Sequence, residues 1–224
     1  MGIDYTKRPA SAPEPAGTPI SLSKVTLTKA APAVSLTKQG SAAGMLRVNL
    51  NWNARPQGGG GLFKKAAPPL DLDLGCLYEF TDGSKGVVQA LGNSFSASPT
   101  GVQQRVIWLD ADDRSGTNTE GENLFVDLAH VAQIKRMLVF ALIYEGAANW
   151  AAADGVVTLF PTSGPQIEVR LDDPREGARI CGVAMLENVN GNLSVRREVN
   201  YVQGAQRALD EAYNWGMRWA AGRK

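Results

Sequence analysis

The sequence is poor in the residues from which most active sites and zinc centres are built. Its 224 residues include one histidine and two cysteines. Cys76 and Cys181 lie far apart, and neither belongs to a C-x-x-C pair, which excludes a thiolate zinc site and a dithiol redox motif. Two isolated thiols also exclude a small disulfide-stapled fold and favour a reducing, cytoplasmic compartment.

Net charge and long apolar runs are equally scarce. The chain has 23 Lys and Arg residues against 22 Asp and Glu, a net charge of +1, so bulk charge does not hold nucleic acid. The longest apolar run, 137–144, is far shorter than the roughly 20 residues that cross a bilayer. The first residues, MGIDYTKRP, lack the apolar core of a signal peptide. These features predict a cytoplasmic globular protein.

Proline and glycine mark the domain organisation. Residues 1–19 contain four prolines among Ala, Ser and Gly, a composition that predicts a flexible arm. Residues 20–224 are then a single domain, interrupted by a Gly- and Pro-rich loop at 54–69. The GGGGLFKK run in this loop lacks the G-K-[ST] ending of a phosphate-binding loop, which favours a surface linker.

Short apolar segments separated by turn residues fill the rest of the chain. Hairpin turns are expected at Thr81-Asp82-Gly83-Ser84 and at Asn190-Gly191-Asn192. The pattern predicts an all-β fold, a β-sandwich of two antiparallel or mixed sheets. Residues 205–219 have helical periodicity, and we expect one C-terminal helix docked on the sandwich. The candidate strands are 45–52, 72–80, 104–109, 123–128, 137–144, 155–160, 166–171, 179–187 and 193–199.

Nucleophilic catalysis has little support, because His130 is the only imidazole and has no evident oriented partner. Acidic residues are better supplied. Asp71 and Asp73 are two positions apart in a predicted strand, so their carboxylates share one face. The stretch 110–122 adds a second acidic cluster on a loop. This second cluster fits either a Ca²⁺ site or a solvated loop whose aspartates cap turns, and its spacing is not that of an EF-hand.

Several segments together point to one family. They are LTKAAPAVSLTKQG, LRVNLNW, LDLDLGCLYEFTDG, and DDRSG followed by GENLFVDL. Between about residues 21 and 219 the chain resembles the TerD-domain proteins of tellurite-resistance operons. The segments GVVQALGN, IYEGAANW and YNWGMRW resemble the TerA branch of that family.

The resemblance implies a β-sandwich that binds Ca²⁺ between acidic loops. It also implies a cytosolic stress-response system that includes further TerD-type proteins and a membrane-associated resistance complex. The calcium ligands implied by the family's acidic motifs are Asp71, Asp73, Asp112, Asp113, Glu122 and Glu145.

We therefore expect a non-enzymatic calcium-binding scaffold, in which Ca²⁺ orders acidic loops that form a partner surface. One alternative is a metal-dependent hydrolase that uses the same acids with Mg²⁺ or Mn²⁺, although no general base stands beside them. Another is a metal-independent interaction module presenting Trp150, Trp215 and Trp219, although tryptophans of this kind are more often core residues.

The balanced net charge conceals an uneven distribution. Residues 1–70 hold 9 basic and 2 acidic side chains, residues 71–127 hold 3 and 10, and residues 128–224 hold 11 and 10. The acidic middle favours a divalent cation as counter-charge. The basic N-terminal stretch is suited to an acidic partner or to peripheral contact with the inner membrane.

Overall fold

A computed structural model gives the fold of the chain and describes residues 24–28, 30, 33–36, 44–52, 70–110 and 121–220. The predicted arm at 1–19, the glycine-rich loop at 54–69 and residues 111–120 of the acidic loop lie outside the described residues. The division into one arm and one domain therefore stays a prediction.

Thirteen strands and two short α-helices occur in the described part of the chain. The helices are α1 (Trp150–Ala153) and α2 (Gln206–Ala212), and a 3₁₀ helix spans Leu128–Gln133. The strands are β1 (Lys24–Thr26), β2 (Ala33–Ser35), β3 (Met45–Asn51), β4 (Asp71–Phe80), β5 (Lys85–Val88), β6 (Ser96–Ala97), β7 (Ile107–Leu109), β8 (Glu122–Asp127), β9 (Ile134–Glu145), β10 (Gly155–Phe160), β11 (Gln166–Leu171), β12 (Ile180–Val189) and β13 (Asn192–Val202).

The strands form two sheets, which confirms the predicted β-sandwich. The seven-stranded sheet has the order β1-β11-β10-β3-β8-β7-β6, and the six-stranded sheet has the order β2-β13-β12-β9-β4-β5. The pairings are antiparallel except that of β1 with β11, which is parallel. One edge of each sheet is therefore a short strand from the first part of the chain.

Alternating apolar side chains fill the space between the sheets. In β10, Val157 and Leu159 are fully buried while their neighbours are partly exposed. Leu72, Leu74 and Cys76 of β4 face them from the six-stranded sheet and belong to the same core cluster. This two-residue period is the property of the sequence from which the strands were predicted.

The six-stranded sheet also buries its other face. There, Leu77, Phe140 and Ile180 pack under Leu209 of α2 and Trp215. Strands buried on both faces have nearly continuous apolar sequences, as β9 and β12 do. The predicted C-terminal helix is confirmed as the cover of this second apolar layer.

The C-terminal helix is shorter than predicted. Periodicity suggested residues 205–219, but α2 ends at Ala212. Asn214 and Gly216 then adopt left-handed conformations, with φ of 51° and 72°, and these end the helix. Residues 213–219 form an arch over the six-stranded sheet rather than a further turn of helix. We call this segment the C-terminal arch.

Asp210 holds this arch. The helical pattern placed its carboxylate away from the apolar face, but the residue is only 4% exposed. Its Oδ1 accepts the Gly216 N–H at 2.8 Å, and its Oδ2 accepts the Met217 N–H and the Trp219 Nε1–H, both at 2.9 Å. Three charge-assisted hydrogen bonds offset the cost of burying this carboxylate.

Arg136 fixes the same arch from the sheet below. Its guanidinium lies 3.9 Å from the centre of the Trp215 ring, and its Nε donates to Glu79 at 2.7 Å. Lys135 donates to the other oxygen of Glu79 at 2.6 Å. Burial raises the pKa of Glu79, but these two basic partners outweigh it and the pKa is lowered. The C-terminal arch is thus tied to β9 and β4.

Two of the three tryptophans that the interaction-module alternative would use are core residues. Trp150 and Trp215 are fully buried. Their indole N–H groups donate to the carbonyls of Ala178 at 2.7 Å and Tyr78 at 3.0 Å. Trp219 alone of the three keeps partial exposure.

Both predicted hairpin turns are present. Asp82 accepts the Ser84 N–H at 2.9 Å between β4 and β5. Asn190 and Gly191 join β12 to β13, and both have left-handed φ values, 55° and 82°, as a type I′ turn requires. The described residues contain no helix that is long and apolar enough to cross a membrane.

Candidate metal centre

Strand β4 positions two of the predicted ligands. Leu72 and Leu74 are fully buried in the core between the sheets, so Asp71 and Asp73 lie on the opposite face of β4. Asp73 is 4% exposed and Asp71 is half-buried. A carboxylate with so little exposure is unusual on a face that is not the main core.

Strand β8 brings Glu122 to the same part of β4. Glu122 is 2% exposed, and its Oε2 accepts the Leu74 N–H at 2.6 Å. Strand β5 pairs only with the Cys76–Glu79 half of β4, so the backbone before Cys76 needs another acceptor on that side. Glu122 supplies it, and its carboxylate therefore lies beside the peptide bond that joins Asp73 to Leu74.

Gly121 explains how the chain enters β8 at this position. Its φ is +71°, and a Cβ atom there would lie 2.1 Å from the carbonyl oxygen of Leu50 in β3. Only glycine fits both the left-handed backbone and this close approach. The glycine directly before Glu122 is thus a local sequence signal for the position at which the chain enters β8.

The two ends of the acidic loop are fastened together. Asp110 accepts from Asn123 twice, from its backbone N–H at 3.3 Å and from its Nδ2 at 3.0 Å. Asn123 Oδ1 in turn accepts from Asn49 Nδ2 at 3.0 Å and from an Arg47 guanidinium nitrogen at 3.1 Å. The loop that carries Asp112 and Asp113 therefore starts and ends next to Glu122.

Glu145 lies at the end of β9, directly opposite Asp71 in the strand register. Side chains of directly opposed residues share a face, and like charges there repel. Unlike Asp73 and Glu122, Glu145 is exposed. It is therefore a neighbour of Asp71 at the rim of the sheet.

The structure thus treats the six predicted ligands differently. It places the Glu122 carboxylate against the Leu74 N–H, puts Asp71 and Asp73 on the other face of β4, and leaves Glu145 at the rim. Asp112 and Asp113 lie outside the described residues. Within the described ranges, no three His, Cys, Asp or Glu side chains form a group that could hold a metal ion. A complete calcium site would need oxygens from the loop.

His130 is part of the 3₁₀ helix that follows β8. Its Nδ1 lies 2.7 Å from Oε1 of Gln133, and its Nε2 lies 3.9 Å from a carboxylate oxygen of Asp127. Both partners belong to the same turn. The imidazole thus stabilises the turn, as expected for a half-buried histidine at a strand end.

Similarity to a known protein establishes the family. The chain is 41% identical over 208 residues, 92% of its length, to the tellurium resistance protein TerA of an Alcaligenes species. The chain belongs to the TerD-domain family of tellurium-resistance proteins, in its TerA-like branch. It spans 60% of the length of that relative. No family model matches the chain.

A solved structure supports the same fold. The crystal structure of a homologue of the telluride resistance protein TerD from Streptomyces coelicolor A3(2) superposes with a TM-score of 0.52. The match covers 72% of this chain and 92% of that one, with 21% sequence identity. At this identity the likeness extends to the fold, which is the sandwich of the TerD-domain family.

Sequence reasoning missed two residues of this TerD-family chain, Asn49 and Asn123, whose hydrogen bonds hold the ends of the acidic loop. Asn49 and Asn123 are buried polar residues on adjacent strands, β3 and β8, and are directly opposite each other. Each occupies a polar position in a strand whose residues alternate between apolar and polar, so the pattern does not distinguish it from its neighbours. Their only signal in the sequence is an asparagine next to the predicted ligand Glu122.

Proposed function

We propose that this chain is a non-enzymatic, calcium-binding component of a tellurium-resistance and stress-response system. The observation that carries the proposal is the meeting of Glu122 with the Asp73–Leu74 peptide, where both carboxyl groups are more than nine-tenths buried. Ca²⁺ would supply positive charge there and order the acidic loop. The residues that would hold it are Asp71, Asp73, Asp112, Asp113 and Glu122, with Glu145 at the rim.

The chemistry of these side chains fits calcium. Taking a carboxylate out of water is costly unless positive charge or hydrogen bonds compensate for it. Ca²⁺ prefers six to eight oxygen ligands and tolerates flexible loop geometry, whereas Mg²⁺ requires a stricter octahedron. The stretch 71–127, with 10 acidic and 3 basic residues, provides a surplus of such oxygens.

The hydrogen bonds that hold the two ends of the acidic loop together support the loop aspartates as further ligands. Asp110 is held against Asn123, the residue after Glu122. Asp112 follows Asp110 by two residues, a length of chain that reaches at most about 7 Å. Asp112 and Asp113 are therefore the first loop carboxylates available to an ion bound beside Glu122.

Calorimetric titration and thermal unfolding with Ca²⁺ test the proposal. We expect wild-type protein to bind Ca²⁺ and to melt at a higher temperature in its presence, because an ion that binds only the folded state stabilises it. Asp73→Asn and Asp112→Ala should each weaken both responses. Asp154→Asn, a matched change at an exposed turn, should leave them intact. Absence of heat and of a melting shift in the wild type would refute the proposal.

The non-enzymatic part of the proposal has its own test. Phosphodiesterase substrates are incubated with the protein and Mg²⁺ or Mn²⁺, and we expect no turnover. Turnover that Asp71→Asn abolishes would instead support a metal-dependent hydrolase.

We extend the proposal to partners and location. The family resemblance implies other TerD-type proteins and a membrane-associated resistance complex as partners, and we propose both for this chain. The excess of basic residues in 1–70 supports peripheral membrane contact, and the two buried, unbridged cysteines support the cytoplasm. Isolation of the native complex with and without chelator, and vesicle sedimentation across a salt series, test these points.

A further inference from the structure

A groove runs along the outer side of β5, the edge strand of the six-stranded sheet. One wall is formed by Lys85 and Val87 of β5, and the other by residues 216–219 of the C-terminal arch. Its volume here is about 340 Å³. It continues as a second cavity of about 580 Å³ toward the start of α2, and Arg218 and Trp219 line both parts.

Part of the backbone of β5, whose residues line this groove, has hydrogen-bonding groups on the side away from β4. Ser84 C=O accepts the Phe80 N–H at 2.8 Å, so every second residue from Ser84 onward directs its backbone groups toward β4. Lys85 and Val87 then direct theirs outward. The segment that returns after β5 covers this edge from the Val87 C=O onward, because Ser94 Oγ donates to the Val87 C=O at 2.7 Å and the Gln89 N–H donates to the Ser94 C=O at 2.9 Å. No other described residue hydrogen-bonds the outward Lys85 N–H, Lys85 C=O or Val87 N–H.

The side chains around the groove are apolar and basic. Met217 and Trp219 supply partly buried apolar surface. Lys85 and Arg218 line the first part, and Arg207 lines the second. Arg218 is exposed and has no ion-pair partner among the residues that the structure describes. No acidic side chain in the described ranges lines either part.

The geometry points to a docking site for an extended acidic peptide segment of a partner protein, which would add to β5 as a further strand. The outward N–H and C=O groups match the backbone of a strand. Carboxylates on the peptide would meet Arg218 and also Lys85, whose ammonium donates to the Trp215 C=O at 2.5 Å and keeps further N–H donors. A phosphate backbone would satisfy the charges but not the alternating backbone donor and acceptor. The chain's own residues 1–70, with 9 basic and 2 acidic side chains, have the wrong charge.

The test uses synthetic hexapeptides in which glutamate alternates with valine, leucine or phenylalanine. They are labelled with fluorescein, and binding to the full chain is followed by anisotropy. The matched peptide with lysine in place of glutamate controls for charge. Peptides N-methylated at odd or at even positions control for backbone pairing, since only one set of amides faces β5.

Two variants of the protein locate the site. Val87→Pro removes one outward N–H without touching the bonds to β4, and proline is tolerated on edge strands in this position. Arg218→Glu reverses the exposed charge and leaves the backbone unchanged. Arg170→Glu, an exposed arginine of β11 that is 62% exposed and makes only a 3.5 Å contact to Glu168, is the matched control.

We expect an acidic peptide to bind, and we expect one methylation pattern, Val87→Pro and Arg218→Glu each to weaken it by about tenfold. Arg170→Glu should change affinity by less than about twofold. Failure of every acidic peptide to bind, equal binding of the lysine peptide, or unchanged binding to Arg218→Glu overturns the proposal. Self-association that Val87→Pro abolishes, without peptide binding, would assign the groove to a second copy and also overturn it.

Discussion

Substitution of Glu122 separates the structural role of its carboxylate from the proposed role in ion binding. Glu122→Ala removes the acceptor of the buried Leu74 N–H and leaves a small cavity. An unsatisfied buried donor costs about 1–3 kcal/mol, and with the lost packing we expect the free energy of unfolding to fall by about 2–4 kcal/mol. Glu122→Gln keeps an oxygen for this N–H and removes the charge. In chelator it should lie within about 1 kcal/mol of wild type.

Calcium should separate Glu122→Gln from the wild type, although the two have similar stability in chelator. An ion at about 100 times its Kd adds about 2.7 kcal/mol to the stability of the folded state. For a chain of this size, we expect a rise in Tm of about 5–10 °C for the wild type. Glu122→Gln should lose most of that rise despite its nearly unchanged stability in chelator. Glu187→Gln, at a site where the side chain is 46% exposed, should keep it.

Urea unfolding and thermal melting, each with chelator and with Ca²⁺, measure both effects. Two results would refute the reasoning. If Glu122→Gln loses as much stability in chelator as Glu122→Ala, the hydrogen bond to the Leu74 N–H is not what the carboxyl group contributes. If Glu122→Gln keeps the full calcium shift, Glu122 is not a ligand.

Three further predictions follow from the packing. Asp210→Ala removes the acceptor of three hydrogen bonds and should lower the free energy of unfolding by about 3–5 kcal/mol in urea titrations; a loss below about 1 kcal/mol would contradict the anchoring role. Gly121→Ala, which meets a backbone oxygen at 2.1 Å, should cost at least about 2 kcal/mol by the same assay. Glu79 has a lowered pKa, so its stabilising contribution is fully present above its ordinary pKa and is lost as pH falls through the lowered folded-state pKa. In urea titrations across this acidic range, the free energy of unfolding of Glu79→Gln should therefore depend less on pH than that of the wild type.

Much of the sandwich follows from the sequence because its strands alternate with a period of two. The strand predicted at 155–160 matches β10 and that at 166–171 matches β11. Very short strands such as β5 and β6 were missed, since four residues or fewer show too little alternation to identify. Helical periodicity overextended α2, because it ignores the left-handed residues and the buried carboxylate that end the helix.

The candidate site was only partly predictable for a related reason. That Asp71 and Asp73 share a face follows from strand geometry alone. That Glu122 reaches the Leu74 N–H depends on which strands of the two sheets face each other, which local pattern does not specify. The Asn49–Asn123 contact requires the register of β3 against β8, another long-range property. Family resemblance identified Glu122, and the structure supplies the physical role of its carboxylate.

The length and the position of β5 account for the two surfaces for which we propose functions. Because β5 pairs with only four residues of β4, the first half of β4 lacks a neighbouring strand on that side, and Glu122 must enter the gap as an acceptor. Because β5 is also the edge of its sheet, its other side presents Lys85 and Val87 to the groove under the arch. A longer β5 would remove the reason for a buried carboxylate beside Asp73. The proposed ion site thus depends on the shortness of β5, and the proposed peptide site depends on its position at the edge of the sheet.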